Sequence, residues 1–254
     1  MSKYAEELGG SYLSSYNNAF KYGYYCFSNS SNSMQTAYQW NLSGINDSVL
    51  YFSKNYQDAL SVTHEFGHYY SSSYNNGVRG SDAYDLQETY SQGNEYTFLT
   101  YLIEQTKDTE DAVTYQYILD SKLYKEIFYI IQEAVITEVE KFAYTTPNIT
   151  ETELMLGIQD ILASYDGTAS DTYYMSACLT SPCYYISYAT SVIEACQLGG
   201  MEFKDSKKAY TKLVEDNKPT TMVERWTNAG LTSPFEESTF KTLEKMFKDI
   251  ANKY

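Results

Sequence analysis

The chain has 254 residues, 43% of them hydrophobic and 17% aromatic, with a formal net charge of −15. That apolar content excludes a disordered chain and suffices for a large domain with a sizeable core. The charge excludes nucleic acid and an anionic membrane surface as partners, since both need clustered Lys and Arg, and no run approaches the ~18 apolar residues of a membrane helix.

Residues 1–25 read as a short helix in a Tyr/Ser/Asn-rich setting, and 27–33 as a polar turn. Residues 36–42 and 48–53 read as two strands, with Ser43-Gly44 and Asn46-Asp47 as turn residues between them, which makes a hairpin. The first strong helix runs from about Tyr56 to Ser72, with Leu60, Val62, Phe66 and Tyr69 at roughly helical spacing. Asn75-Asn76-Gly77 and Gly80 break it, and Ser81-Asp82 can cap the next helix, which carries Leu86, Tyr90, Phe98, Leu99 and Leu102 to about Gln105.

Asp108 opens another helical stretch, 122–144 reads as a long helix, and Pro147 ends that region. A helix follows from Thr150 to about Tyr165, stopped by Asp166-Gly167, and residues 168–182 are less regular. Residues 183–199 read as a Tyr-rich helix ending at Gly199-Gly200, followed by short helices at about 204–215, 219–229 and 235–252. The expected architecture is a single mainly α domain over 1–254, with a small β element, the hairpin, next to the first strong helix.

The start, Met1 to Glu7, lacks the apolar core of a signal peptide, so the chain reads as soluble. Its compartment is cytoplasmic if the chain is complete and extracellular if a leader was removed. Cys26, Cys178, Cys183 and Cys196 match no zinc ribbon and no redox CxxC, and read as small buried thiols; Cys178 and Cys183 can pair only if their segment folds suitably. The 29 tyrosines pack like hydrophobes and end in a hydroxyl, which suits half-wet surfaces and polar clefts.

The first strong helix contains His64-Glu65-Phe66-Gly67-His68, an HExxH pattern. Residues i and i+4 share a helix face, so His64 and His68, the chain's only histidines, can point one nitrogen each at a single zinc ion. Glu65 is placed to act on water rather than to ligate. A catalytic site needs a third protein ligand and an open position. Glu88, 20 positions after His68, can return its carboxylate from the start of an antiparallel helix. Gln92 and Glu95 follow on the same face, and Glu95 can accept a hydrogen bond from a ligating imidazole. Glu95 is also the main rival for the third ligand, and Asp82 and Asp85 are weaker ones. Farther on, Tyr184 and Tyr188 share a helix face with Tyr185 one position round. Such a stripe is either aromatic core or a source of hydroxyl donors for an oxyanion.

Together, His64 to His68 with Glu88, Ser91 and Glu95 resemble the HExGH and E-x-x-S-x(3)-E signature of the M3 family of zinc metallopeptidases, in its oligoendopeptidase F-like branch. The stretch Pro182 to Ala189 is similar to that family's Tyr-rich substrate segment, and Leu231 to Glu236 to its C-terminal region. The resemblance spans roughly 40–250 and covers only the C-terminal, metal-binding part of the family.

It implies a zincin-like, gluzincin-type metallopeptidase catalytic domain that holds one Zn²⁺ through His64, His68 and Glu88 and cleaves short peptides. Glu65 would be the general base, with Tyr184, Tyr185 and Tyr188 as contacts to carbonyl and oxyanion and Tyr188 the first choice. The family's channel-forming N-terminal part is absent, so an N-terminal domain or partner chain is expected to complete the cleft. The family also has a histidine shortly before the Tyr segment, where this chain has Cys178. The alternative is therefore a catalytically weakened, zinc-containing peptide-binding module.

Overall fold

The computed structural model describes residues 1–42, 47–74, 82–165, 176, 180–216, 218 and 220–254. The turn at Ser43-Gly44 and Asn46, the breaker loop from Asn75 to Gly80, the Ser81 cap, the Asp166-Gly167 stop and Cys178 lie outside them. So do the side chains of Asp47 and Asp82.

Two helices open the chain, α1 (Ser2–Leu8) and α2 (Gly10–Tyr22). They replace the single helix expected there, because Gly9 and Gly10 adopt φ of 70° and 49°, a left-handed region open to glycine. Next come strands β1 (Tyr25–Ser28), β2 (Ala37–Leu42) and β3 (Asp47–Ser53), in the sheet order β1-β3-β2. β2 and β3 pair antiparallel, with Tyr38 opposite Tyr51 and Trp40 opposite Val49, as the hairpin reading required. β1 was not foreseen: it starts just before the expected polar turn and pairs parallel to β3, with Phe27 stacked on Phe52 at 5.0 Å.

Helix α3 (Ala59–Tyr74) packs on β2 and β3. It starts three residues later than expected because the Asp58 carboxylate accepts from the backbone N–H groups of Leu60 and Ser61, both at 3.0 Å, and so caps it. α4 (Asp82–Gln105) is the central helix, in contact with α3 and with four helices that follow. Residues 89–101 are buried on every side, so α4 lacks the one-sided apolar stripe of a surface helix. Small polar residues, Thr89, Ser91, Asn94, Thr97 and Thr100, let its neighbours approach closely.

α5 (Asp111–Thr145) is one continuous helix rather than two stretches. Its expected break falls where Leu119 and Leu123 are buried and Asp120 accepts from Gln116, Lys253 and Tyr254. α6 (Glu151–Ser164) begins with a Thr150–Glu153 capping box. The chain closes with α7 (Tyr185–Gly199), α8 (Phe203–Glu215), α9 (Met222–Ala229) and α10 (Glu237–Ala251). The main core gathers Tyr4, Tyr12, Phe52, Phe66, Leu86, Tyr96, Val192, Tyr210 and Trp226 around α4. A second cluster joins α5 to α6 through Ile136, Val139, Leu154 and Ile158.

The cysteines differ from the expectation of buried thiols. Cys196 is buried, but Cys26 lies exposed on the edge strand β1, and Cys183 is exposed in the turn before α7 at φ 59°. Among the described residues, no helix is long and apolar enough to cross a membrane.

Candidate metal centre

Three backbone features converge on one point. α3 carries His64 and His68 on one face, one turn apart, with their ring centroids 5.1 Å from each other. α4 approaches that face so closely that a Cβ on Gly67 would lie 2.6 Å from the Tyr90 carbonyl oxygen. Only glycine permits this, and the approach brings Glu88 to the histidines. Glu88 Oε2 stands 3.4 Å from His64 Nε2, and Oε1 stands 3.7 Å from His68 Nε2. Among the described residues, the group whose donors all meet within 4.8 Å of one another is His64, His68 and Glu88.

The donor chemistry suits a metal ion. Two imidazole nitrogens and one carboxylate oxygen are a donor set that could hold a metal ion. The Ser91 hydroxyl donates to Glu88 Oε2 at 2.8 Å and fixes its rotamer. The other face of the His64 ring is equally constrained: Nδ1 lies 2.8 Å from Glu95 Oε1, which leaves Nε2 for the cluster. Glu95 thus contacts the back of the ring, and Gln92 is buried one turn before Glu95 with an Oε1 that has no hydrogen-bond partner among the described residues.

Electrostatics follow from burial and carboxylate crowding. Burial pushes the His68 pKa down to about 4. Burial also opposes the charged form of His64, but the Glu95 hydrogen bond and the charges of Glu95, Glu88 and Glu65 outweigh it and raise the pKa to about 9. Burial raises Glu65 to about 7, against the lowering effects of His64 and of the Gln39 backbone hydrogen bond from β2. The crowding of Glu65, Glu88 and Glu95 around the imidazoles is what favours the charged form of His64.

The tyrosines lie at the start of α7. The hydroxyls of Tyr184 and Tyr188 lie 2.5 Å apart, and the Tyr188 ring meets Tyr129 of α5 at 6.2 Å. Burial pushes the Tyr188 pKa upward, and so does the charge of Glu88, so this hydroxyl stays protonated within reach of that charge. Tyr184 is exposed, while Tyr185 turns toward the α5–α6 cluster.

Sequence reasoning missed Asn94, Lys122 and Glu126. Asn94 Nδ2 donates to the Thr63 carbonyl at 2.7 Å, and its Oδ1 accepts from Tyr4 at 3.0 Å and Tyr12 at 3.2 Å. One side chain therefore ties α1 and α2 to the helix that carries the histidines. Lys122 reaches Glu95 and Glu126 from α5. The signal available for these was weak: polar residues standing at apolar-face positions of strong helices.

The sequence matches no protein-family model and no curated protein. Solved structures do resemble it. An assigned oligoendopeptidase F from Bacillus anthracis str. Ames superposes with a TM-score of 0.72 at 17% identity, over 99% of this chain and 44% of that one. PZ peptidase A, in complex with an inhibitor, gives 0.76 at 19% identity, over 99% and 48%. A second assigned oligoendopeptidase F gives 0.77 at 15% identity, over 98% and 46%. The fold, mainly α with a small sheet, is that of part of each of these structures, and the chain spans less than half the length of each.

Proposed function

We propose that this chain is the catalytic domain of a zinc metallopeptidase that hydrolyses short peptides. The observation that carries the reading is the meeting of His64, His68 and Glu88 donors within 4.8 Å, next to the Glu65 carboxylate. One zinc per chain would be held by these three side chains. When bound, the ion supplies Lewis acidity that polarises the scissile carbonyl and brings the pKa of water toward neutrality.

The chain's own groups do the rest. Glu65, ordered by the Gln39 backbone N–H, accepts a proton from the water that attacks the scissile carbonyl carbon. The C–O bond forms, and the carbonyl oxygen takes up negative charge. The Tyr188 hydroxyl, partnered by Tyr184, donates to that oxyanion, and the exposed Tyr184 contacts a flanking carbonyl of the substrate; Tyr185, packed on the α5–α6 cluster, is left without the substrate role the resemblance implied for it. Glu65 then delivers its proton to the amine nitrogen as the C–N bond breaks. Glu95 and Gln92 stand behind the metal-binding face, Glu95 holding the His64 ring.

Because the chain spans under half of the structures it resembles, we assign it one zincin-like domain and infer that a further domain or partner chain completes the peptide cleft. The presence of only two histidines, both in the cluster, favours a second reading in which peptides are bound and cleaved slowly or not at all. The test is cleavage of quenched fluorescent peptides by the purified chain. The proposal expects cleavage that chelation abolishes and zinc restores; a metal-loaded chain that only binds the peptides supports the second reading.

A further inference from the structure

The hydrogen bonding behind His64 does not stop at Glu95. Glu95 and Glu126 are both buried, one on α4 and one on α5, and Lys122 lies between them. Lys122 Nζ stands 3.3 Å from Glu95 Oε2 and 3.1 Å from Glu126 Oε1. It also sits 5.0 Å above the Tyr96 ring, whose hydroxyl donates to the same Glu126 oxygen at 2.8 Å. A continuous chain therefore runs His64, Glu95, Lys122, Glu126, Tyr96, and it crosses three helices.

We propose that Lys122 is a positioning residue of the metal centre: its ammonium, anchored by Glu126, holds the Glu95 carboxylate in the orientation that points His64 Nε2 at His68 and Glu88. The inference rests on the metal-centre reading above. Its physical basis is the cost of leaving a buried carboxylate oxygen without a donor. With Lys122 in place, one Glu95 oxygen is satisfied by the ammonium and the other is free for His64 Nδ1. Without it, Glu95 gains by rotating toward water or another donor, and the imidazole loses the partner that sets its tautomer and its plane. Lys122 touches neither the donor cluster nor any group assigned to a substrate, so its effect must travel through Glu95.

Zinc affinity, measured by chelator competition, tests this without requiring turnover. The proteins are wild type, Lys122→Met, Glu95→Gln and the double variant, with melting in excess chelator as the control for folding. Lys122→Met should weaken zinc about 10- to 100-fold, Glu95→Gln should weaken it similarly, and the double variant should bind no worse than Glu95→Gln alone. If Lys122→Met does not fold, Lys122→Gln, which is polar but uncharged and one atom too short to reach Glu95, carries the same expectation. Wild-type affinity in the Lys122 variants, or an undiminished loss when Lys122 is replaced in the Glu95→Gln background, overturns the inference. A wild-type chain that binds no zinc overturns the metal-centre reading itself, which is a distinct result.

Discussion

Gly67 and Ser91 hold α3 and α4 in backbone contact: a Cβ on Gly67 would lie 2.7 Å from the Ser91 Cα. Ser91 is also the residue whose hydroxyl fixes Glu88, so the helix spacing and the third donor are set at one place. Gly67→Ala forces the helices apart. Overpacking of this kind costs about 1–3 kcal/mol, read as a lower melting temperature in chelator, and it should also weaken zinc binding. Wild-type melting and affinity would mean that the helices can separate without moving Glu88.

Asn94→Leu keeps the number of side-chain heavy atoms but removes the amide that the Tyr12 hydroxyl bonds, leaves the Tyr4 hydroxyl only a 3.5 Å contact to the residue-94 carbonyl, and takes the Nδ2 donor from the Thr63 carbonyl. Buried polar groups left unpaired make this a loss of about 3 kcal/mol in denaturant unfolding. A loss under about 1 kcal/mol, typical of a single ordinary hydrogen bond, would contradict the role given to Asn94 as the tie between the N-terminal helices and α3.

Tyr188→Phe removes the hydroxyl that faces the Glu88 charge and is bonded to Tyr184. Loss of one oxyanion donor lowers kcat by about 10²–10³, with zinc content unchanged. Steady-state kinetics with a bound-metal assay checks both. An unchanged kcat would return Tyr188 to the aromatic core.

Burial pushes Glu194 of α7 up to about 9 from an ordinary 4.5, against the Gln197 hydrogen bond, with the Glu236 charge adding to the rise. Between those values the folded chain keeps a proton that the unfolded chain has lost, so this group's contribution to stability falls as pH rises from about 4.5 to about 9. Glu194→Gln removes the titration. Its melting temperature relative to wild type should therefore climb between pH 5 and pH 9. A difference that stays constant across that range would contradict the assignment.

How much of this was legible follows from how local each feature is. His64, Glu65 and His68 are set by helix periodicity, and Glu88 by the length of one loop plus one turn, so spacing alone sufficed to nominate them. Glu95 was nominated by its place on the same face, and its contact with His64 needs only α3 and α4 together. β1 was missed because its four residues, Tyr25 to Ser28, do not alternate in character and find their partner strand about 25 positions later. Asn94 and Lys122 were missed because each acts across helices that only the tertiary fold brings together. The continuity of α5 was missed for the same reason, since the burial of Leu119 and the bonding of Asp120 to Lys253 and Tyr254 come from the chain's other parts.

The central claim is that Glu65 moves a proton at a metal site built from His64, His68 and Glu88. The most direct measurement compares zinc content and cleavage of fluorescent peptides for wild type and Glu65→Gln. The account predicts about one zinc per chain in both proteins and a turnover at least 10²-fold lower in the variant. Cleavage by Glu65→Gln at the wild-type rate, with zinc bound, would contradict it.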